Sequence, residues 1–205
     1  MNYAIIKKQF PALLLGVVVG ASMFLLGQNT SPSNTPNEAE IGFAQDMSVH
    51  HQQAIEMSFL VRERTDNQDI RAFAFDIINT QANQRGMMLG WLDLWQQPLT
   101  ASGKPMAWMA DSMSMNGQMN DSFTPGAYMP GMATIDEMDQ LTSLESVAAE
   151  KLFLELMIRH HMGGVMMAAG VIERSGNETV TRLAQTMVNG QQAEMDYMNE
   201  LLRTY

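Results

Sequence analysis

The sequence predicts an all-α protein, an antiparallel four-helix bundle assembled from two copies of one helical hairpin. An internal repeat is the first observation: a shift of 110 positions aligns residues 43–92 with 153–202 without a gap, and 14 of the 50 pairs are identical. Chance would produce roughly three identities. Both copies space their apolar residues as helices do, and a long connection separates them. Because each hairpin has one apolar face, the two hairpins bury those faces against each other.

Composition limits the classes of function. The chain has 205 residues, of which 46% are hydrophobic, so it is no large multidomain enzyme. Its 12 basic and 22 acidic side chains give a formal charge of −10, which disfavours nucleic acid as a partner. The absence of cysteine excludes disulfides, thiolate zinc sites, iron–sulfur clusters and cysteine nucleophiles. The 21 methionines are the anomaly, since ordinary chains contain roughly 2% Met.

The amino-terminal residues carry a targeting segment. Lys7 and Lys8 precede a charge-free apolar run over residues 10–27, the pattern of an export signal. The length of the run fits either a cleaved signal or a retained membrane anchor, so both remain open for residues 1–27. Residues 28–40 are polar and Pro-rich, which predicts a linker. The bundle is predicted for residues 41–205.

Each half is predicted to be a helical hairpin, over residues 43–96 and 144–203, with a connection at 97–143. Apolar residues of the first helix are spaced 4, 3, 4, 3 and 4 apart, which is a helical seam. Turns are expected near 65–68 and 175–178. The predicted seam residues of the two first helices are Phe43, Met47, His50, Ala54, Met57, Val61 and Phe153, Met157, His160, Gly164, Met167, Val171. Those of the second helices are Ile70, Phe73, Ile77, Gln81, Gln84, Met88, Trp95 and Val180, Leu183, Met187, Gln191, Met195, Met198.

All four histidines lie in the repeat, each pair preceded by a methionine on the same helix face. Residues three or four apart share a face, and folding the hairpin about position 67 places Met88 opposite Met47 and Gln84 opposite His50. We therefore expect sulfur and nitrogen donors to meet at one level. These candidate ligands are Met47, His50, His51, Met57, Met88 and Met157, His160, His161, Met167, Met198. Thioether and imidazole donors suit Cu(I) and Ag(I) and also admit Cu(II). Binding through imidazole should weaken below about pH 6.5.

Two other interpretations of the histidine seam are open. The histidines could be ordinary core residues, satisfied by Gln81 or Gln191 at matching core positions. A di-iron or di-manganese centre would instead need a Glu-x-x-His motif on paired helices. The residue three positions before His50 and His160 is Met in both copies. This departure argues against redox iron chemistry.

The connection contains a second group of methionines at short spacings. They are Met106, Met109, Met113, Met115, Met119, Met129, Met132 and Met138. A loop without a core gives these side chains no gap to fill, so we expect an independent thioether site that includes Met113, Met115 and Met119. The alternative is that the connection folds back and packs its Met residues, Trp108 and Phe123 over the bundle.

The paired F-x-x-x-M-x-x-H-H-x-x-[AG]-x-x-M motif, the export signal and the Met-rich connection resemble a family of exported ferritin-like proteins designated a domain of unknown function. The resemblance covers residues 41–205. It implies a four-helix bundle that binds copper and silver in the periplasm and contributes to copper resistance. The family motif maps onto Met47, His50, His51, Met57 and onto Met157, His160, His161, Met167.

Together these observations predict a periplasmic copper- and silver-binding protein that buffers or delivers metal without turnover. A copper-exporting or copper-sensing membrane protein is the expected partner, and the amino-terminal segment is the only expected membrane contact. Two alternatives remain: a cuprous oxidase with its centre in the bundle core, and a Met-rich module that docks a protein partner.

Overall fold

The computed structural model describes residues 35–110 and 127–205, and within these ranges the chain is helical without strands. The elements are α1 (Glu38–Arg64), α2 (Gln68–Leu94), a 3₁₀ turn (Ala107–Met109), α3 (Ile135–Ser143), α4 (Ser146–Ile172) and α5 (Glu178–Leu202). The predicted all-α helical bundle is confirmed. None of the helices in these two ranges combines the length and apolar character needed to span a bilayer. The predicted targeting segment, residues 1–27, lies outside the described residues.

Two helices begin where the sequence predicted irregular chain. Asn37 and Glu40 form a capping box, in which Asn37 Oδ1 accepts from the Glu40 amide at 2.9 Å and Glu40 Oε2 accepts from the Asn37 amide at 3.1 Å. Helix α1 therefore starts at Glu38, inside the predicted linker. Thr134 and Glu137 cap α3 in the same way, within the predicted connection. Both starts follow from the local cap rather than from apolar spacing.

The two predicted hairpins are present, and their turns lie where the sequence placed them. Residues 65–67 join α1 to α2, and residues 173–177 join α4 to α5. Near the first turn Arg62 donates to the Arg71 carbonyl oxygen at 2.9 Å, and Arg71 donates in return to the Arg62 carbonyl oxygen. Further from the turn, Arg85 Nε donates to the Ser48 carbonyl oxygen at 3.2 Å. The paired contacts show that α1 and α2 run antiparallel.

The two hairpins pack against each other through α1 and α4. Repeat-equivalent residues make the contacts that join them. The buried Glu40 carboxylate at the start of α1 accepts from Ser175 Oγ and from the amides of Gly176 and Asn177, at 2.8 to 3.1 Å. At the opposite end the repeat-equivalent Glu150 accepts from the Thr65 hydroxyl. Each carboxylate thus binds the turn of the other hairpin, which makes α1 and α4 antiparallel.

The buried core consists of two clusters at opposite ends of the bundle. Cluster 1 contains residues from the starts of α1 and α5 and from the ends of α2 and α4. Cluster 2 contains residues from the starts of α2 and α4 and from the ends of α1 and α5, together with Leu141 of α3. The predicted seams of α1 and α4 are buried throughout. The four histidines occupy the middle of these two helices, between the clusters.

The described part of the connection packs on the bundle, which corrects the expectation that its methionines have no core to fill. Met106, Met109, Met129 and Met132 are at most 6% exposed and belong to cluster 1. Glycine makes room for this packing, because a Cβ at Gly170 would lie 2.3 Å from Met109 Cε. These four methionines are therefore core side chains.

A buried carboxylate holds the connection in place. Asp46 Oδ2 accepts from the Met106 amide at 2.8 Å and from Trp108 Nε1 at 2.9 Å. The Trp108 ring meets Phe43 edge-on with centroids 6.1 Å apart. Burial raises the pKa of the Asp46 carboxyl above its usual range, against the two hydrogen bonds that lower it.

Candidate metal centre

Four imidazoles form the middle layer of the bundle, and each is at most 1% exposed. His50 and His51 project from α1, and His160 and His161 project from α4. The rings of His50 and His160 lie 3.7 Å apart between centroids, with planes inclined by 34°. The duplication has therefore brought equivalent histidines of the two copies into direct contact.

Every one of these imidazoles meets an oxygen atom through Nε2. Because carbonyl and carboxylate oxygens only accept hydrogen bonds, Nε2 is the donor in each case. The pairs are His50 with the Pro130 carbonyl at 3.2 Å, His51 with Gln84 Oε1 at 2.8 Å, His160 with the His50 carbonyl at 3.0 Å and His161 with Glu194 Oε2 at 2.6 Å. In a neutral imidazole with this tautomer, the lone pair resides on Nδ1.

The Nδ1 atoms of all four rings are buried and have no hydrogen-bond partner among the described residues. An unsatisfied buried polar atom costs roughly 1–3 kcal/mol, and four equivalent ones in one layer need an explanation. Metal-ligating histidines have this arrangement, with one nitrogen held by a carbonyl or carboxylate and the other directed to the metal. The residues present therefore fit a soft metal ion.

Burial lowers the pKa of His50, His51 and His160. Loss of solvation lowers the pKa of His50 to about 3 and that of His51 to about 4, and it lowers the pKa of His160 well below the usual value. The neighbouring imidazoles contribute to the lowered pKa of all three, after burial. In the folded protein, protons compete with metal for His50 and His51 only well below the pH of about 6.5 expected from an unperturbed histidine.

Residues 129–133, the strap, hold His50 from outside the hairpins. Pro130 supplies the carbonyl that His50 binds, and Gln53 exchanges two hydrogen bonds with the Ala133 backbone at 2.7 and 2.8 Å. The strap approaches α4 closely: Gly131 adopts φ +76°, and a Cβ at Gly163 would lie 2.1 Å from the Pro130 carbonyl oxygen. Sequence reasoning missed this element, although the Gly163-Gly164 pair inside a helix was a usable signal.

The candidate methionine ligands are divided between the two clusters. This corrects the expectation that their sulfur atoms and the histidine nitrogen atoms lie at one level of the bundle. Each cluster receives one methionine from the start of its first helix, one from its hairpin partner and one from the other hairpin. Cluster 1 contains Met47, Met88 and Met167, and cluster 2 contains Met157, Met198 and Met57. Since α1 and α4 are antiparallel, the repeat yields two equivalent methionine triads with the histidine layer between them.

Further methionines make the two ends unequal. Cluster 1 also contains Met187 and, from the connection, Met106, Met109, Met129 and Met132, whereas cluster 2 adds Met195. The predicted ligands Met113, Met115 and Met119 lie outside the described residues. Cluster 1 is accordingly the end richer in soft sulfur donors.

The hydrogen-bond partners of Gln84 and Gln81 differ from those predicted. Gln84 meets His51 rather than His50, because the imidazole of His50 turns towards the strap. Gln81 is buried at the predicted core position, but among the described residues neither of its side-chain polar atoms has a partner. The interpretation in which Gln81 satisfies the histidines is therefore wrong.

In residues 35–110 and 127–205, no three His, Asp or Glu side chains are grouped so that they could hold a metal ion. A site built from these three residue types alone would therefore contain at most two such side chains within the described ranges. The remaining donors would be thioether sulfurs from the adjoining triads, the donor combination that suits Cu(I) and Ag(I).

The family model described as "Domain of unknown function (DUF305)" matches residues 40–202. The chain belongs to the DUF305 family. A candidate secreted DUF305 protein from Streptomyces coelicolor shares 49% identity over 81% of this chain and 93% of its own, with a TM-score of 0.71. A DUF305 fragment from Deinococcus radiodurans shares 30% identity over 83% of this chain and 99% of its own, with a TM-score of 0.66.

The DUF305 fold is also similar to that of CopM. In its Cu(I)-bound form, CopM shares 20% identity over 80% of this chain and 96% of its own, with a TM-score of 0.60. This likeness concerns the fold alone. No curated protein matches the sequence.

Proposed function

We propose that this DUF305 protein binds copper and silver ions as cargo, through imidazole and thioether donors in its bundle. The observation that carries the proposal is the set of four buried Nδ1 atoms without a partner among the described residues. Each belongs to a ring whose Nε2 already donates to an oxygen. The rings are thus oriented, and one lone pair of each is left for a metal.

The choice of metal rests on the donors. The protein has no cysteine, and a methionine triad flanks the histidine layer on each side. Thioether and neutral imidazole donors favour Cu(I) and Ag(I) over Mg(II), Ca(II) or Mn(II), and imidazole also accepts Cu(II). CopM, which shares the fold, has been obtained in Cu(I)-, Cu(II)- and Ag-bound forms.

The protein acts outside the cytoplasm in this proposal, either free in the periplasm or held at the inner membrane by residues 1–27. The apolar run after Lys7 and Lys8 supports export, and the relative from Streptomyces coelicolor is described as a candidate secreted protein. Thioethers suit such a compartment, since thiols oxidise there. The protein buffers or delivers metal and catalyses no reaction, and a copper-exporting or copper-sensing membrane protein would receive the ion.

The test is an anaerobic titration of the purified protein with Cu(I) in competition with a chromophoric Cu(I) chelator, repeated with Ag(I). We expect stoichiometric uptake of both ions and none of Mg(II), Ca(II) or Mn(II). Oxygen consumption with Cu(I) should stay at the rate of the free ion, since steady-state turnover would favour a cuprous oxidase. A protein that retains neither copper nor silver through gel filtration would refute the proposal.

Two variants separate metal binding from core packing. The double replacement His50→Leu with His160→Leu should remove binding that depends on the bundle, and stability should be kept or increased, because two polar rings leave an apolar seam. Met87 and Met162 are 46% and 59% exposed, so Met87→Leu with Met162→Leu is the matched control. Unchanged binding in the histidine variant would assign the histidines to the core.

A further inference from the structure

The two halves of the histidine layer differ in the side chain that the second histidine of each pair binds. His51 Nε2 donates to the amide oxygen of Gln84 at 2.8 Å, and His161 Nε2 donates to the carboxylate of Glu194 at 2.6 Å. Positions 84 and 194 are 110 residues apart, so they are equivalent in the repeat. The duplication has kept the geometry of the contact and changed the charge of the acceptor.

An ionised acceptor changes the donor strength of the ring that it binds. A hydrogen bond to a carboxylate is shorter and roughly twice as strong as one to a neutral amide. By drawing the Nε2 proton, the carboxylate increases electron density on the opposite nitrogen, which raises its basicity as a ligand. Nδ1 of His161, the atom without a partner among the described residues, is therefore a stronger donor than Nδ1 of His51.

The surroundings of the two contacts differ in the same sense. Arg85 follows Gln84 and binds the Ser48 carbonyl on α1, which places a positive charge beside His51. Glu194 instead lines a cleft of about 400 Å³ between α2 and α5, together with Asp69 and Asp76. A cation bound near His161 is thus favoured by the charge of Glu194, and one near His51 is opposed by Arg85.

We infer that Glu194 is a positioning residue that strengthens metal binding by His161, and that the amide at Gln84 leaves His51 the weaker ligand. The inference rests on the proposed function, because it assigns unequal roles to the two halves of that same site. It treats Glu194 as acting through His161 and not as a metal ligand itself.

The repeat supplies a matched set of variants for the test. Glu194→Gln installs the acceptor of the first copy in the second, and Gln84→Glu does the reverse. Cu(I) affinity is measured for the full chain by competition with a chromophoric chelator. We expect Glu194→Gln to weaken one site by roughly 10- to 100-fold and Gln84→Glu to strengthen the other by a similar factor. The double variant should exchange the two effects.

A second measurement separates positioning from folding. The ¹⁵N chemical shifts of the His161 ring in metal-free protein should move in Glu194→Gln, while helical circular dichroism stays unchanged. Equal Cu(I) affinity in Glu194→Gln and wild type, with wild type binding normally, would overturn the inference and leave the proposed function intact. Absence of Cu(I) binding in wild type would overturn both.

Discussion

His160 donates a hydrogen bond from Nε2 to the main-chain carbonyl oxygen of His50 at 3.0 Å, and the two rings are in contact with centroids 3.7 Å apart and planes inclined by 34°. The two residues are equivalent in the repeat, so the copies of the hairpin touch each other at the same residue. Charging both rings at this distance would place two cations in contact without water. The folded state is therefore incompatible with charge on both rings at once.

Acid should begin to destabilise the metal-free protein at a pH above the range in which carboxylates titrate. The folded-state pKa values of His50 and His51 are about 3 and about 4, whereas unfolded histidine titrates near 6.5. The stability that the neutral rings contribute is complete above about pH 6.5 and is lost as the pH falls towards 4 and then 3, because the unfolded chain binds protons first. The slope should approach about 1.4 kcal/mol per pH unit for each histidine.

Urea unfolding as a function of pH measures this slope. The variant His50→Leu with His160→Leu removes two of the groups, so its slope should be visibly shallower between neutral pH and about pH 4. Equal slopes in the variant and the wild type would show that these histidines are not held neutral.

The two methionine triads should be separable. Replacing Met47, Met88 and Met167 by Leu removes the sulfurs of cluster 1, and replacing Met57, Met157 and Met198 removes those of cluster 2. Met→Leu conserves volume and usually costs less than about 1.5 kcal/mol at one site, so both variants should fold. Each should lose part of the Cu(I) stoichiometry, as counted by mass spectrometry under non-denaturing conditions. Full stoichiometry in both variants would exclude the triads as ligands.

Met113, Met115 and Met119 should contribute metal sites whose pH dependence differs from that of the histidine sites. Replacing Met113, Met115 and Met119 by Leu should lower the Cu(I) count with little change in thermal stability, since Met→Leu conserves side-chain volume. Thioethers do not bind protons in this range, so the sites that this variant loses should persist in wild type at lower pH than the histidine sites. Parallel loss of both classes on acidification would mean that these methionines form no independent site.

Gly163→Ala should destabilise the protein although alanine favours helices. The new Cβ would lie 2.1 Å from the Pro130 carbonyl oxygen, so the strap must move away from α4 and from His50. Overpacking of this kind costs about 1–3 kcal/mol. Gly190→Ala in α5 is the matched control, because no atom lies within 4 Å of its Cβ, and it should stabilise by about 0.8–1 kcal/mol. The free energy of unfolding in urea distinguishes the two, and equal stabilisation would contradict the contact.

Glu40→Ala should cost more than an ordinary surface substitution. Its buried carboxylate joins α1 to the turn of the second hairpin through three hydrogen bonds to residues 175–177. Hydrogen bonds to a charged group contribute about 1.5–3 kcal/mol each before relaxation, so we expect a loss of a few kcal/mol. The exposed Glu38→Ala in the same helix turn is the control, with a loss below about 1 kcal/mol. Thermal unfolding of both variants provides the comparison.

The amino-acid sequence by itself determined the four long helices, the two hairpins and the buried seam. These features depend on residue spacing within one helix or one hairpin, and the same spacing occurs in both copies of the repeat. The positions of Phe43, Met47 and His50 on one face follow from helix geometry alone, and all three are buried. The membership of Met47 and Met88 in one cluster likewise follows from folding a hairpin about its turn.

Tertiary structure decided how the side chains of the centre are paired. The Pro130 carbonyl lies 80 residues from His50, and its place depends on a glycine conformation at Gly131 and on the surface of α4. The division of methionines into two clusters depends on the antiparallel docking of α1 and α4, which no spacing within one hairpin specifies. The described part of the connection is buried only because the assembled bundle provides an apolar surface on which its methionines pack. Local periodicity contains no information about contacts of this range, because their energies arise only when the two hairpins meet.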